Sequence, residues 1–426
     1  MKYCKILSIA LLSLVTSGTL LHGINKVEWN FFTYIQADNN LAPFAAINVK
    51  DMQKVGSTSD VNILAQWDKP SDNMTYRYKI LQNNMVINSS INQEMGFFPE
   101  KELADSMTWV KNSFPANRYA LILWDHGNGV LDRSKKQHTS SWLSLPGISK
   151  KYWRDRGILY DYTQNTFLDN VGLSSACAKI KTTIRQNIDL LGTDACFMAM
   201  IEIAYQVKSS VNYLVGSQQT EPGLGWPYAD VLSPLVGIPT MSTADFGTAI
   251  VQAYSNFYET GDNADSSYTL STIDVTKIQA ATTAFNALLK AITEAQLVDK
   301  TTTNTGVKLA RANTLAFSIN DYIDLIDLYD NLTITFNKIS GSRNAKKKGS
   351  LRDRMAVAAV AIVTAVAAAK IAAQETIVSS MAGTDYSGKA HGLSIYYPAN
   401  YLVDASYKKT AFAKQTNWVK VLNSLR

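Results

Sequence analysis

Histidine and cysteine are scarce in this chain of 426 residues, with four and three copies respectively. No Cys-x-x-Cys pair and no His-Glu-x-x-His sequence occurs, which excludes zinc-ribbon, thioredoxin-type and zincin chemistry, so no metal ligands are assigned. A Gly-x-Ser-x-Gly elbow is also missing, which removes the α/β-hydrolase route to a serine nucleophile. No Asp-rich loop of EF-hand spacing is present. Basic residues exceed acidic ones by 41 − 35 = 6, but the excess is spread thinly, and two of the basic residues, Lys2 and Lys5, sit in what reads as a removable leader. Nucleic-acid binding needs denser clustering and is not expected. With 46% hydrophobic and 18% charged residues the chain can bury a substantial core, so wholesale disorder and collagen-like structure are excluded.

A basic tip, an apolar run from Ile6 to Leu21 and small residues at Ser17–Gly18 form a secretory-signal pattern, assigned to residues 1–23. The run is shorter than the roughly 20 residues of a membrane span; an uncleaved anchor is the alternative reading. Cys4 precedes the run and cannot carry a lipoprotein's lipid. A secreted or periplasmic chain would then retain Cys177 and Cys196, enough for one disulfide but not for a disulfide framework.

Short apolar runs at Trp29–Gln36, Val61–Gln66, Tyr119–Trp124, Ile188–Leu191 and Val211–Gly216 have the near-continuous hydrophobicity of strands buried on both faces of a parallel sheet. Helical stretches at Leu103–Asn112, Ala176–Gln186 and Phe197–Ser209 alternate with them, predicting a layered α/β domain over residues 27–235. Thr75–Ile80 and Met85–Ile91 read as an edge hairpin. Residues 133–156 break the alternation with Arg133, Lys135, Lys136, Lys150, Lys151, Arg154 and Arg156, as an exposed functional loop or a solvated one would. Residues 236–426 are mainly helical by pattern and return one strand, 392–397, to the core. Within them Met355–Ala373 is rich in Ala and Val; interrupted by Thr364 and ending at Lys370, it reads as a core helix with a snorkelling lysine, so no stable membrane insertion is expected once the leader is gone.

Two strand ends carry the chemistry. The stretch YALILWDHGNG (119–129) delivers His126 at the carboxyl end of a buried strand, where ligands of open α/β sheets gather, and follows it with Gly127, whose bare backbone can approach a substrate oxygen. The stretch IDLLGTDACFMAM (188–200) delivers Cys196 in the same way, ahead of a helix expected to begin near Phe197, whose positive end would favour thiolate. A buried structural cysteine is the bland reading; an imidazole and a thiol at two strand ends make the pair needed for nucleophilic acyl transfer. Asp194 shares a side with Cys196 and would attract a basic substrate side chain from a pocket floor, unless it merely caps the helix.

These motifs resemble the clostripain family of cysteine peptidases, with its His-Gly and later Asp-Ala-Cys sequences. Further similarity lies in ADNNL (37–41), Asp51-Met52, Val55–Ser57, GILYD (157–161), EPGLGW (221–226) and GLSIYYP (392–398). The resemblance implies a caspase-like three-layer α/β/α sandwich with a mostly parallel sheet and a helical C-terminal extension. It also implies an endopeptidase that cleaves protein or peptide substrates after Arg or Lys: His126 and Cys196 catalytic, the N–H groups of Gly127 and Cys196 as oxyanion hole, Asp194 in the pocket. Self-processing in 133–156, at Lys135, Lys136, Lys150 or Lys151, follows from the same resemblance. Pro227 stands where a second pocket acid would be expected. No cofactor is expected; calcium dependence varies in the resemblance, and no calcium ligand can be assigned here. An inactive caspase-like binding module and a membrane-tethered surface protein are the alternatives.

Overall fold

A computed structural model describes residues 26–70, 74–132, 157–341 and 349–426. The expected leader and the four candidate processing lysines lie outside the described residues. The first half runs β1 (Val27–Gln36), α1 (Ala42–Val55), β2 (Val61–Asp68), β3 (Thr75–Leu81), β4 (Asn84–Ile91), α2 (Pro99–Ser113) and β5 (Ala116–Trp124). It continues through β6 (Ile158–Asp161), β7 (Thr166–Leu168), α3 (Asn170–Ile184), β8 (Ile188–Asp194), α4 (Ile201–Val207) and β9 (Val211–Gly216). The second half holds α5 (Tyr228–Gly237), α6 (Thr243–Glu259), β10 (Thr269–Asp274), α7 (Ile278–Val298), α8 (Lys300–Asn313), β11 (Tyr322–Asp324) and α9 (Leu325–Ser340). It closes with α10 (Leu351–Gln374), β12 (Ile377–Ala382), β13 (Ser394–Tyr396), α11 (Ala411–Gln415) and α12 (Trp418–Ser424).

The main sheet has nine strands in the order β12-β10-β9-β8-β5-β1-β2-β3-β4. The central five, β9-β8-β5-β1-β2, are parallel, and the two outer strands on each side are antiparallel additions. Alternate residues of the central strands face opposite layers. Trp29, Phe31 and Ile35 of β1 with Ala120 and Ile122 of β5 pack under α1, α5 and α6. Phe32, Tyr34, Leu121 and Leu123 face the other way, under α2, α3, α4 and α7. Both faces are dry, which is why these strands read as unbroken apolar runs, and at roughly 1.5–3 kcal/mol per buried large side chain this double burial dominates the fold's stability. The result is the mostly parallel three-layer sandwich with a helical C-terminal part. The expected hairpin is β3–β4, at the sheet edge, turning through Asn83 at φ +56°.

Two features depart from the sequence reading. The sheet does not end near residue 235: β10 and β12 extend it from within the helical half. The segment 392–397 does form a buried strand, β13, but it pairs with β11 in a separate two-stranded sheet and meets the main layer through the Met200–Ser394 bridge and hydrogen bonds such as Ser271 Oγ to Gly392 O and Tyr396 N–H to Glu202 Oε1. The strand beyond β9 is already taken by β10, so a later strand finds no open edge there. Helix α10 packs Met355, Ala359, Ile362, Val366, Ala369 and Ala373 inward at helical spacing against α7 and α9, and Lys370 bonds Asp330 at 2.5 Å. By length and composition alone it could cross a membrane; its opposite face exposes Val357, Val360 and Ile371.

Candidate active site

Strand pairing sets the geometry. In the parallel pair β5–β8, Trp124 lies opposite Asp194. His126 and Cys196 each come two residues later, so both leave the sheet side by side, on chains about 5 Å apart. The amide of Asp125 donates to Asp194 O at 3.3 Å, extending the register one step further. The order β2-β1-β5-β8-β9 changes direction between β1 and β5, so the loops that follow those strands part and leave a crevice at their carboxyl ends. His126, Cys196, Asp194 and Glu221 line one cleft there, together with Leu41 and Trp124. Gly127 backs directly onto the chain at Cys196: a Cβ there would lie 2.5 Å from Cys196 O and 3.1 Å from Cys196 N.

The expected helix at Phe197 starts instead at Ile201. Phe197 takes φ +63°, its N–H donates to Gln219 O at 3.0 Å, and Ala199 N–H donates to Ser217 O at 2.9 Å. These amides are satisfied by the neighbouring 217–219 strand extension, so a helical turn cannot form. No helix dipole therefore acts directly on Cys196. A backbone donor takes its place, because Glu221 N–H points at Cys196 Sγ at 3.3 Å and favours sulfur in its anionic form. Neither Cys177 nor Cys196 is in a disulfide; Cys177 is buried, which pushes its thiol up to about 12 and leaves it inert.

Asp194 is not a helix cap. Its Oδ2 accepts from Tyr228 OH at 2.8 Å and Trp226 N–H at 3.2 Å, so the carboxyl turns away from the following turn and into the floor of the cleft. Gly225, at φ +64°, makes room: a Cβ would sit 2.8 Å from Asp194 Oδ1. No acid stands at Pro227, but Glu221 brings a second carboxyl to the cleft beside Asp194. Glu221 is 6% exposed, and neither of its oxygens takes a hydrogen bond of ordinary geometry, although Asp194, Trp226 and Ala195 face it. Burial raises Asp194 to about 6 and pushes Glu221 well above the usual carboxylate range, the nearby Asp194 charge adding to it. Sequence reading missed Glu221, although EPGLGW held the signal: an acid directly before a Pro-Gly turn.

His126 is lowered to about 4 by burial, so its ring is neutral at ordinary pH. Its Nε2 lies 2.9 Å from Asn40 Oδ1. The Asp125 carboxylate accepts from Asn39 Nδ2 at 2.6 Å, from Tyr160 N–H and from the backbone N–H of His126. Among the described residues no group of three or more His, Cys, Asp or Glu is arranged to hold a metal ion.

A doubly wound sheet whose neighbouring strand ends bring an imidazole and a thiol to one acid-floored cleft defines a caspase-like cysteine peptidase. Within that class, the model of the clostripain family matches residues 33–424, and the chain belongs to that family. It is 24% identical to clostripain of Hathewaya histolytica over 225 residues, which span 46% of this chain and 40% of that protein. Its fold is similar to that of a secreted C11 cysteine protease of Bacteroides thetaiotaomicron, iotapain (TM-score 0.62, 16% identity, 93% of this chain and 99% of that one). It is also similar to an inactive zymogen C11 protease of Parabacteroides distasonis (TM-score 0.58, 16% identity, 92% and 98%).

Proposed function

We propose that this chain is an exported endopeptidase that cleaves after Arg or Lys, with Cys196 as nucleophile and His126 as proton carrier. The observation that carries the reading is the shared cleft, in which His126 and Cys196 stand above two buried carboxyls, Asp194 and Glu221. Two such acids in one low-dielectric pocket cannot both ionise alone, and an entering guanidinium or ammonium relieves that conflict. Cys196 Sγ, having passed its proton to His126, attacks the carbonyl carbon after the basic residue. The oxyanion forms against the N–H groups of Gly127 and Cys196. His126 returns the proton to the leaving amine, then takes one from the water that releases the acyl group from sulfur.

Export is supported by the leader pattern and by a similar protein described as secreted. Self-processing at Lys135, Lys136, Lys150 or Lys151 is supported by where the loop's far end is anchored. Asn128 N–H donates to Gly157 O at 2.9 Å and Gly127 bridges Ile158, so the loop's exit lies beside the catalytic histidine. A similar structure is that of an inactive zymogen.

The test compares wild type with Cys196→Ala on reporter peptides carrying Arg, Lys or Asp at the cleaved position, with N-terminal sequencing of both chains. We expect Arg and Lys turnover to fall by at least about 10³-fold in the variant, Asp peptides to be ignored, and new N-termini within 133–156 in wild type alone. Equal turnover by both chains overturns the reading; a fully active intact wild-type chain overturns the processing.

A further inference from the structure

Asn40 lies in the loop between β1 and α1, 86 residues before the histidine it touches. Its surroundings are firmly tied. The preceding Asn39 donates through Nδ2 to Asp125 Oδ1 at 2.6 Å and to Tyr160 O at 2.9 Å, and its Oδ1 accepts from Leu41 N–H at 2.8 Å. From the segment after β6, Tyr162 OH donates to Asn40 Oδ1 at 2.6 Å, and Tyr162 N–H donates to Asp38 O at 2.9 Å. Asn40 Oδ1 therefore stands between two donors, a phenol and the His126 ring. Its own Nδ2 is buried without a hydrogen-bond partner. Leaving a buried donor unmet costs roughly 1–3 kcal/mol, an expense that a side chain present only for packing would avoid.

We propose that Asn40, backed by Tyr162, is the positioning residue of the catalytic histidine: it accepts Nε2–H, fixes that tautomer and directs Nδ1 toward Cys196. This rests on the peptidase reading above but is independent of the preference for basic residues. An amide suits the task better than a carboxylate. It orients the ring without stabilising imidazolium in the resting enzyme, so the ring stays able to receive the thiol proton.

The charged groups around the ring fit this division of labour. Asp125, at the end of β5, is turned to Asn39 and Tyr160. Asp161, at the end of β6, accepts from Gln36 and Gln164. Asp38, in the Asn40 loop, accepts from Thr163 N–H. Asp194, at the end of β8, and Glu221, beyond β9, line the cleft. Burial depresses the ring's basicity.

The experiment uses the full chain with Asn40→Ala, Asn40→Asp and Tyr162→Phe. It measures kcat and KM on an Arg reporter and, separately, the pH dependence of Cys196 alkylation by iodoacetamide, which needs no peptide turnover. Asn40→Ala should lower kcat by about 10–100-fold at nearly constant KM, and move the alkylation midpoint. Asn40→Asp should keep much of the activity while shifting the acid limb of kcat/KM to higher pH, because a carboxylate favours imidazolium. Tyr162→Phe should cost about 2–5-fold in kcat, since the loop ties of Asn39 remain. Wild-type kcat together with an unmoved alkylation profile in Asn40→Ala overturns the proposal. So does loss of activity that tracks a loss of thermal stability and is not recovered by Asn40→Asp. A wild type that cleaves no Arg or Lys peptide, yet whose alkylation profile moves in Asn40→Ala, sinks the basic-residue reading and leaves this one standing.

Discussion

Two groups of buried carboxyls lie along the carboxyl edge of the sheet, and they are built differently. Asp68 and Asp161 share one donor, Gln36 Nε2, at 3.0 and 3.1 Å, while Gln164 gives its N–H to Asp161 and its side-chain amide to Glu94. One oxygen of that group, Asp68 Oδ1, lacks a partner; in the other group neither oxygen of Glu221 takes a hydrogen bond of ordinary geometry, and Glu221 lines the cleft beside Cys196. Burial raises the acids of both groups, Asp68 to about 8 and Asp161 to about 7 in one, Asp194 to about 6 in the other. Perturbed acidity therefore does not distinguish them. The completeness of the bonding does: Asp68 and Asp161 are tied together through Gln36 and Gln164, whereas Glu221, beside an Asp194 held by Tyr228 and Trp226, takes no hydrogen bond of ordinary geometry.

Mutating the pocket acids is the strongest way to break that distinction. Asp194→Asn should reduce kcat/KM on Arg and Lys reporters by roughly 10²–10⁴-fold, as expected when one member of a buried ion pair worth about 3–5 kcal/mol is removed. Glu221→Gln should follow with at least about 10-fold. A loss of the same size on reporters with an uncharged residue at the cleaved position would show that the acids hold the fold instead of reading the substrate.

The converse substitution, Asp68→Asn, should leave kcat/KM unchanged and alter stability. Folded Asp68 holds its proton up to about pH 8, while the unfolded chain releases it near the ordinary 3.8. Its contribution is thus present below that lower value and is lost as pH rises toward 8. Thermal melts should show the variant matching wild type at pH 4 and exceeding it at pH 8 by about 1 kcal/mol or more. A variant less stable at pH 8, or defective on peptides, would merge the two groups.

A third buried carboxyl, Asp324, gives the smallest effect. It accepts from Gln218 Nε2 and from His391, whose Nδ1 lies 3.0 Å away. The bond to Asp324 raises the imidazole above its usual range, so the pair stabilises the fold below pH 6.5 and stops doing so as pH rises through the raised value. With the ring partly exposed, solvent screening holds the gain to under about 1 kcal/mol. His391→Gln should melt lower than wild type at pH 5.5 and with it at pH 8.5; a gap that persists at both pH values would mean charge plays no part.

How much of this was legible in the sequence follows from the range of the forces involved. Periodicity is local, so the strands ending at Gln36, Trp124 and Asp194 and the Asn83 hairpin could be read directly. The helix expected to begin near Phe197, which begins at Ile201, shows the limit. Its residues suit a helix, but partners at Gln219, Ser217 and Ser394 claim the backbone groups a helix would use. Strand β10 was hidden for a related reason: it is a six-residue strand among long helices, and its place beside β9 depends on sheet pairing that no local pattern carries.

By itself the sequence determined where an imidazole, a thiol and an acid would emerge, because each follows a run too apolar to be anything but a buried strand. Tertiary structure decided the rest: that β5 and β8 are neighbours in register, that Glu221 supplies both a second carboxyl in the cleft and the N–H on sulfur, and that Asn40 meets His126. Burial is written one residue at a time, whereas a hydrogen bond across 86 residues exists only once the sheet has brought its strand ends together.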